Sequence, residues 1–153
     1  MTDNVNRTVL ETLVDTVYDS IEGYRQAGEA ADSTAIKSAF ASQLERRVET
    51  LDMLNRELVR QGGDLMTKGT MAGGLHRVWL KVTDLFGSDD KAAIERVQEG
   101  EDYLTAKFET ALEQTDLDSQ TRTVIEQALT EIRQGERLSA ELGRVNESTA
   151  ERI

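Results

Sequence analysis

The chain has 153 residues, enough for one domain with its own core, and we predict a single domain over residues 1–153. It contains no cysteine, which excludes disulfides, thiol nucleophiles, iron–sulfur clusters and cysteine–zinc sites. A net charge of −11 argues against nucleic acid as a partner, because phosphate binding needs clustered lysine and arginine. The absence of proline, together with 31% charged residues, favours long helices over a sheet.

Two long amphipathic segments come first, each with apolar residues spaced three and four apart along one face. The first predicted helix covers about residues 6–31 and the second about 35–61. Residues 32–34, Asp-Ser-Thr, form a short link that can cap the second helix. Gly62 and Gly63 end that helix, because glycine readily adopts the left-handed backbone of a helix end.

A long connection follows over about 62–90, and within it residues 71–86 have the pattern of a short helix with one apolar face. The third long helix is predicted over about 91–114 and the fourth over about 119–142; the polar tail 145–153 is expected to fray. Short links force antiparallel neighbours, so the long crossover must carry the second hairpin back across the bundle. This all-α pattern predicts an antiparallel ferritin-like four-helix bundle with an extra short helix in its crossover.

Three ionisable residues fall on the apolar faces of these helices, namely Arg47, Glu101 and Glu136. With a rise of about 1.5 Å per residue, the three lie within one or two turns of each other in the middle of the bundle. A buried carboxylate is costly unless it is paired, and the planar guanidinium of Arg47 suits two carboxylates. We therefore predict a core ion network of these residues in place of a metal site. The alternative is a carboxylate-only site for iron or manganese on Glu101 and Glu136, which the charge of Arg47 opposes.

The one histidine, His76, lies in the crossover beside Arg77 and Trp79. Di-metal bundles of this layout use a Glu-x-x-His pair on each of two helices, and this chain has none, because Gly73 stands three residues before its only histidine. Trp79 faces the apolar side of the predicted crossover helix, so we expect it to anchor that helix to the bundle. The alternative is that His76, Arg77 and Trp79 form a site for a ligand or a protein partner.

Familiar catalytic motifs do not occur: there is no P-loop, no dinucleotide-binding glycine motif and no nucleophile elbow. We accordingly predict no catalytic and no cofactor-binding residues. The N-terminus lacks the pattern of a signal peptide, and no apolar run reaches the roughly 20 residues of a membrane span. We expect a cytoplasmic protein with no membrane partner, and we leave open a protein partner or self-association.

The chain resembles a bacterial family of small ferritin-like four-helix bundles known only as a domain of unknown function. The resemblance covers about residues 9–142 and is most specific at residues 74–79, with their His-Arg-x-Trp, and at residues 100–102. Weaker matches lie at residues 19–24 with Ala27, and at residues 44–47. The resemblance implies a ferritin-like fold and brings no established activity.

The same resemblance implies an ancestral metal-ligand position, since the Gly-Glu at residues 100–101 is similar to one in rubrerythrin-like proteins. The other ligand positions differ, with Val17, Arg47, Arg133 and Glu136 standing where glutamate or histidine would be expected. We therefore expect a non-catalytic protein that acts as a stress-associated or assembly scaffold. The alternatives are a ferritin-like metal-binding protein or oxidase, and a partner-binding module built on His76 and Trp79.

Overall fold

In a computed structural model, the described residues are 2–69 and 90–151, with side chains described over 5–69 and 90–147. These residues form four long helices: α1 Thr2–Ala30, α2 Thr34–Arg60, α3 Asp90–Leu112 and α4 Ser119–Glu151. The prediction of an all-α four-helix bundle is confirmed. The crossover helix predicted at 71–86, and with it His76, Arg77 and Trp79, lies outside the described residues.

The four helices form a square bundle in which α1 and α4 occupy opposite corners, each packed against α2 and α3. At one end, the backbone N–H of Asp32 donates to the Asp90 carboxylate at 2.6 Å, so α3 begins beside the α1–α2 link. At the other end, the N–H of Asp118 donates to Asn6 Oδ1 at 3.0 Å, so the α3–α4 link lies beside the start of α1. Helix α3 is therefore antiparallel to α1, and the end of α2 and the start of α3 lie at opposite ends of the bundle, as the link lengths predict.

An apolar core follows the bundle axis, built from residues spaced three and four apart on each helix. Helix α1 contributes Leu10, Leu13, Val14 and Val17, all of which are buried. A fully buried leucine or valine side chain contributes about 1.5–3 kcal/mol through the hydrophobic effect, so this repeated face holds the helices together. Two charged residues, Arg47 and Glu101, interrupt the core with no exposed surface.

Helix α2 begins and ends where the sequence predicts. Ser33 caps its start, where the hydroxyl accepts from the N–H of Ile36 at 3.3 Å. Beyond its end, Gly62 has a φ of 88°, and the N–H of Gly63 donates to the carbonyl of Leu58 at 2.9 Å. This left-handed turn satisfies carbonyls that the helix end would otherwise leave unpaired.

Gly62→Ala is expected to lower the free energy of unfolding by about 1–2 kcal/mol, because a Cβ strains a left-handed backbone. Gly62→Asn should lose clearly less, since asparagine tolerates this conformation better than alanine does. Urea unfolding of both variants measures the difference. Equal losses in the two variants would show that the backbone conformation at residue 62 is not the cause.

The fourth helix is longer than the sequence predicts. It continues to Glu151, through most of the tail expected to fray, whereas the prediction ended it at about residue 142. The extension lies beside the first turns of α3: a Cβ on Gly143 would be 3.5 Å from Ile94, and Lys91 and Glu147 line one shallow groove. Contact with α3 therefore supports the polar end of α4 as a helix, although its sequence has no apolar repeat that would predict one. Within the described ranges, no helix combines the length and apolar character needed to cross a membrane.

Candidate functional site

A cluster of polar side chains lies at the centre of the bundle, where all four helices meet. It comprises Ser20 and Tyr24 from α1, Gln43 and Arg47 from α2, Glu101 from α3, and Glu131 with Gly135 from α4. The pairs on α1, α2 and α4 are each four residues apart, which places both members on one helix face. We call Arg47, Glu101 and Glu131 the ion network, and the other side chains support it.

Arg47 is completely buried and all five of its N–H groups have an acceptor. Its outer edge pairs with Glu101, from Nη1 to Oε1 at 2.7 Å and from Nη2 to Oε2 at 2.5 Å. Its inner edge pairs with Glu131, from Nε to Oε1 at 2.8 Å and from Nη2 to Oε2 at 3.0 Å. The fifth donor reaches Ser20 Oγ at 3.0 Å. Two bidentate pairs on one guanidinium fix its position strongly.

The two carboxylates differ in their surroundings. Glu101 has no exposed surface, and its Oε2 also accepts from the Tyr24 hydroxyl at 2.9 Å. The Glu131 side chain is 13% exposed, and its Oε2 also accepts from Gln43 Nε2 at 2.5 Å. One guanidinium facing two carboxylates leaves one negative charge in excess. Glu131, which can reach water, is the better placed of the two to carry that charge.

The electrostatics of the cluster keep its donors in place. Burial acts to lower the pKa of Arg47, but the adjacent Glu101 outweighs it, and the pKa lies well above its usual range. Burial, and then the charge of Glu101, raises the pKa of Tyr24 well above its ordinary value. Arg47 therefore stays charged and Tyr24 stays a neutral donor throughout the physiological pH range. The Tyr24 ring also lies 5.5 Å from the Arg47 guanidinium carbon.

Gly135 allows α4 to approach this cluster closely. A Cβ at this position would collide with Glu101 Oε2, and it would stand 3.0 Å from both Arg47 Nη2 and the Tyr24 hydroxyl. The backbone of α4 thus covers the network directly, and no larger residue fits there without displacing a charged group.

The carboxylate predicted to pair with Arg47 on the last helix was Glu136, and the structure has Glu131 in that role. Glu136 comes one residue after Gly135, so its side chain is turned by about 100° from the face that covers the network. It points towards α3, where its Oε1 accepts from the Thr105 hydroxyl at 3.2 Å. The structure thus joins Arg47 and Glu101 as predicted and assigns Glu136 to a different contact.

The sequence contains a signal for Glu131 that the prediction missed. Ala128, Glu131 and Gly135 are spaced three and four apart, as are Phe40, Gln43 and Arg47 on α2. The predicted cluster did not include Glu131, Gln43 or Ser20, although the spacing places Glu131 and Gln43 on these faces.

A metal ion would find few free ligands in this cluster. Within the described residues, no group of three or more aspartate, glutamate, histidine or cysteine side chains is arranged to hold a metal. Glu101 and Glu131 do converge, but the guanidinium of Arg47 lies between them and occupies all four carboxylate oxygens. The two ligands predicted for a carboxylate-only site, Glu101 and Glu136, face different partners. The donor set therefore does not fit a metal centre.

Glu131 also forms part of the wall of a surface groove between α2 and α4. The groove has a volume of about 390 Å³ and is lined by Arg46, Glu49, Thr50, Met53, Glu131 and Gln134. Within the cluster, Glu131 has the greatest contact with solvent, since the other side chains are almost completely buried. The carbonyl oxygen of the Gln43 side-chain amide is buried and, among the described residues, has no hydrogen-bond partner.

Comparison with protein-family models matches residues 6–114 to a family described as "Domain of unknown function (DUF2383)". The matched range contains Ser20, Tyr24, Gln43, Arg47 and Glu101, and it ends before α4 begins. No curated protein and no solved structure matches the chain.

Proposed function

We propose that this chain, which belongs to the family described as a domain of unknown function (DUF2383), is a non-catalytic bundle that acts by binding through its surface. Its ion network takes the central position that a ferritin-like bundle gives to a pair of metal ions. The observation that carries the proposal is the buried guanidinium of Arg47, with every N–H bound and two carboxylates paired to it.

Metal chemistry at this centre would require Arg47 to leave. A divalent cation would have to displace a guanidinium that holds both carboxylates, and breaking a buried ion pair costs about 3–5 kcal/mol. The displaced Arg47 would also remain close to the metal, because α2 places it at the centre of the bundle. These two costs favour the protein ion network over a metal ion.

Among the residues that the structure describes, the outer faces of the helices are then the part left to meet other molecules. The groups at the centre are engaged with each other: Tyr24 with Glu101, Ser20 with Arg47, and Gln43 with Glu131. The proposed partner is another protein or a second copy of this chain, because the net charge of −11 disfavours nucleic acid. A stress-associated or assembly role would operate through such contacts.

Anaerobic loading with Fe(II) or Mn(II), followed by removal of free metal and elemental analysis, tests the non-catalytic part of the proposal. The wild type is expected to retain far less than one equivalent of metal and to consume no oxygen when Fe(II) is added in air. Arg47→Glu, which removes the competing cation and adds a carboxylate beside Glu101 and Glu131, should retain more metal than the wild type if it folds. Near-stoichiometric metal in the wild type, lost in Glu101→Ala, would establish the metal-binding alternative instead.

A further inference from the structure

One buried acceptor lies directly beside the groove between α2 and α4. The Gln43 side chain has no exposed surface, and its Nε2 donates to Glu131 Oε2 at 2.5 Å. Its carbonyl oxygen, Oε1, has no hydrogen-bond partner among the described residues. Turning the amide over would bring that oxygen against the Glu131 carboxylate, so electrostatic repulsion fixes the orientation of the amide. A buried acceptor is costly without a donor, so this oxygen favours the approach of a donor group.

The spacing of residues on α2 places this amide on the side of the helix that faces the groove. Gln43 precedes Thr50 by about two turns, so their side chains leave α2 within about 20° of each other. Thr50 lines the groove, and so does Glu131, which accepts from the Gln43 amide. The Gln43 oxygen therefore lies at one end of the groove, next to the exposed edge of the ion network.

The groove also carries unbalanced negative charge. Arg47 is shared between Glu101 and Glu131, and Glu131 is the carboxylate of the two that lines the groove. Glu49 adds a second carboxylate to the lining. Of the lining residues, Arg46 alone is positively charged, and it is exposed. The groove therefore favours a cation over an anion or a neutral group.

We propose that this groove binds the side chain of a lysine from a partner protein, with the ammonium between Glu131 and the Gln43 oxygen and the methylenes along Met53. The assignment rests on the proposed surface binding and names the chemistry of the partner. A lysine ammonium combines three N–H donors with a compact charge, which matches an acceptor beside an exposed carboxylate. Arginine fits less well, because the Glu131 oxygens already accept three N–H groups from Arg47 and Gln43 and leave no edge for two parallel bonds.

Charge and size indicate another protein as the source of this lysine. The net charge of −11 makes two copies of this chain repel each other, whereas the same charge attracts a basic partner. The groove volume of about 390 Å³ is near the low end of the roughly 300–1,000 Å³ of ligand sites, so it holds one side chain and not a folded element. Its position on the surface between two helices leaves room for the chain that carries the lysine.

Titration of isotope-labelled protein with N-acetyl-lysine-N-methylamide, followed by two-dimensional NMR, tests the site directly. The backbone amides of residues 46–53 and 131–134 and the side-chain amide of Gln43 should shift saturably. The matched probe, in which the lysine nitrogen carries three methyl groups, keeps the charge but has no N–H to donate. It should bind about tenfold or more weakly, because it leaves the Gln43 oxygen without a donor. Equal binding of the two probes would overturn the proposal.

Substitutions separate the charge of the site from its hydrogen bond. Glu131→Gln should weaken lysine binding about tenfold or more, and Gln43→Met should remove the preference for lysine over its trimethylated form. Arg46→Gln should strengthen binding on the order of threefold, because it removes a nearby cation. Arg56→Gln makes the same change of charge on α2 outside the groove and should have no such effect. Equal effects of Arg46→Gln and Arg56→Gln would contradict a site in this groove, and both residues are exposed, so this comparison does not depend on a variant of the core.

A free amine is the competing source of the same chemistry. Butylammonium has the same methylenes and ammonium without a backbone, whereas a tripeptide with lysine between two glycines presents the side chain from a chain. The peptide should bind at least as tightly as butylammonium. Binding of butylammonium together with exclusion of the peptide would overturn the assignment to a partner protein. Groove amides that shift with no probe would overturn the lysine site itself, while metal loading separately tests the non-catalytic proposal.

Discussion

Arg47→Met is expected to lower the free energy of unfolding by about 3–5 kcal/mol, a larger effect than we expect from any other single substitution in the bundle. Methionine fills similar space but leaves Glu101 buried without its cation, and Glu101 has no exposed surface through which water could replace the lost contacts. Tyr24 alone would remain as a hydrogen-bond donor to that carboxylate. Urea unfolding followed by far-ultraviolet circular dichroism at neutral pH measures the loss.

A surface arginine provides the matched control. Arg25 also pairs with two carboxylates, Glu22 and Glu29, but its side chain is 53% exposed. Arg25→Met should therefore cost far less than Arg47→Met, because exposed ion pairs contribute little to stability. Similar losses for Arg25→Met and Arg47→Met would mean that burial of the pair contributes nothing.

The double variant Arg47→Met with Glu101→Leu separates the ion pair from the volume it fills. Removing both charges leaves no uncompensated carboxylate at the centre, so most of the loss seen in Arg47→Met should be recovered. The double variant still contains the Glu131 carboxylate without its cation, but the side chain of Glu131 is 13% exposed and can turn towards solvent. A double variant as unstable as Arg47→Met would show that the cost comes from packing and not from an unpaired charge.

Gly135→Ala is expected to cost about 1–3 kcal/mol, although alanine is a better helix former than glycine. The added Cβ would collide with Glu101 Oε2 and crowd both Arg47 and Tyr24. Relief requires either α4 to move outwards or the buried ion pair to shift. The expected result is a lower unfolding midpoint, measured by thermal and urea denaturation.

Gly28→Ala is the control for this substitution. Gly28 is also helical, on α1, and a Cβ there would have nothing within 4 Å apart from its own helix and chain neighbours. It should gain about 0.5–1 kcal/mol from the higher helix propensity of alanine. A loss of stability in Gly135→Ala together with a gain in Gly28→Ala would show that position 135 needs glycine because of its contact with the ion network, and not because of its backbone conformation. A gain at both positions would contradict the close approach of α4.

Much of the fold follows from the sequence because the apolar residues repeat with the period of a helix. That repeat predicts four helices, and the lengths of the links predict their directions, which the contacts of Asp90 and Asp118 confirm. The sequence did not predict where α4 ends, because the polar residues after 142 carry no apolar repeat. Their helix depends on the neighbouring start of α3, which a local pattern does not show.

The site follows from the sequence only in part. Arg47 and Glu101 were identifiable because a charged residue in the middle of an apolar repeat must be buried with a partner. The choice between Glu131 and Glu136 depends on how α4 is rotated about its axis, and a difference of five residues moves a side chain through about 140°. Such a rotation is set by packing, in this bundle by Gly135 against Glu101.

A buried ion network also suggests a reason for its presence other than stability. Apolar residues of similar volume often stabilise a core as well as an ion pair does. In this protein the guanidinium of Arg47 joins α2 to Glu101 on α3 and to Glu131 on α4, while Ser20 connects it to α1. A shifted helix register would break these bonds, so we infer that the network specifies how the four helices align.

The most direct test of the central claim is the unfolding free energy of the wild type measured with a chelator and again with excess Mn(II) or, anaerobically, Fe(II). If the ion network completes the bundle without metal, the two values should agree within error. If a metal binds the folded protein, stability should rise with its concentration, by about 2.7 kcal/mol at a hundred times the dissociation constant. A rise of that kind, abolished by Glu101→Gln, would contradict the account.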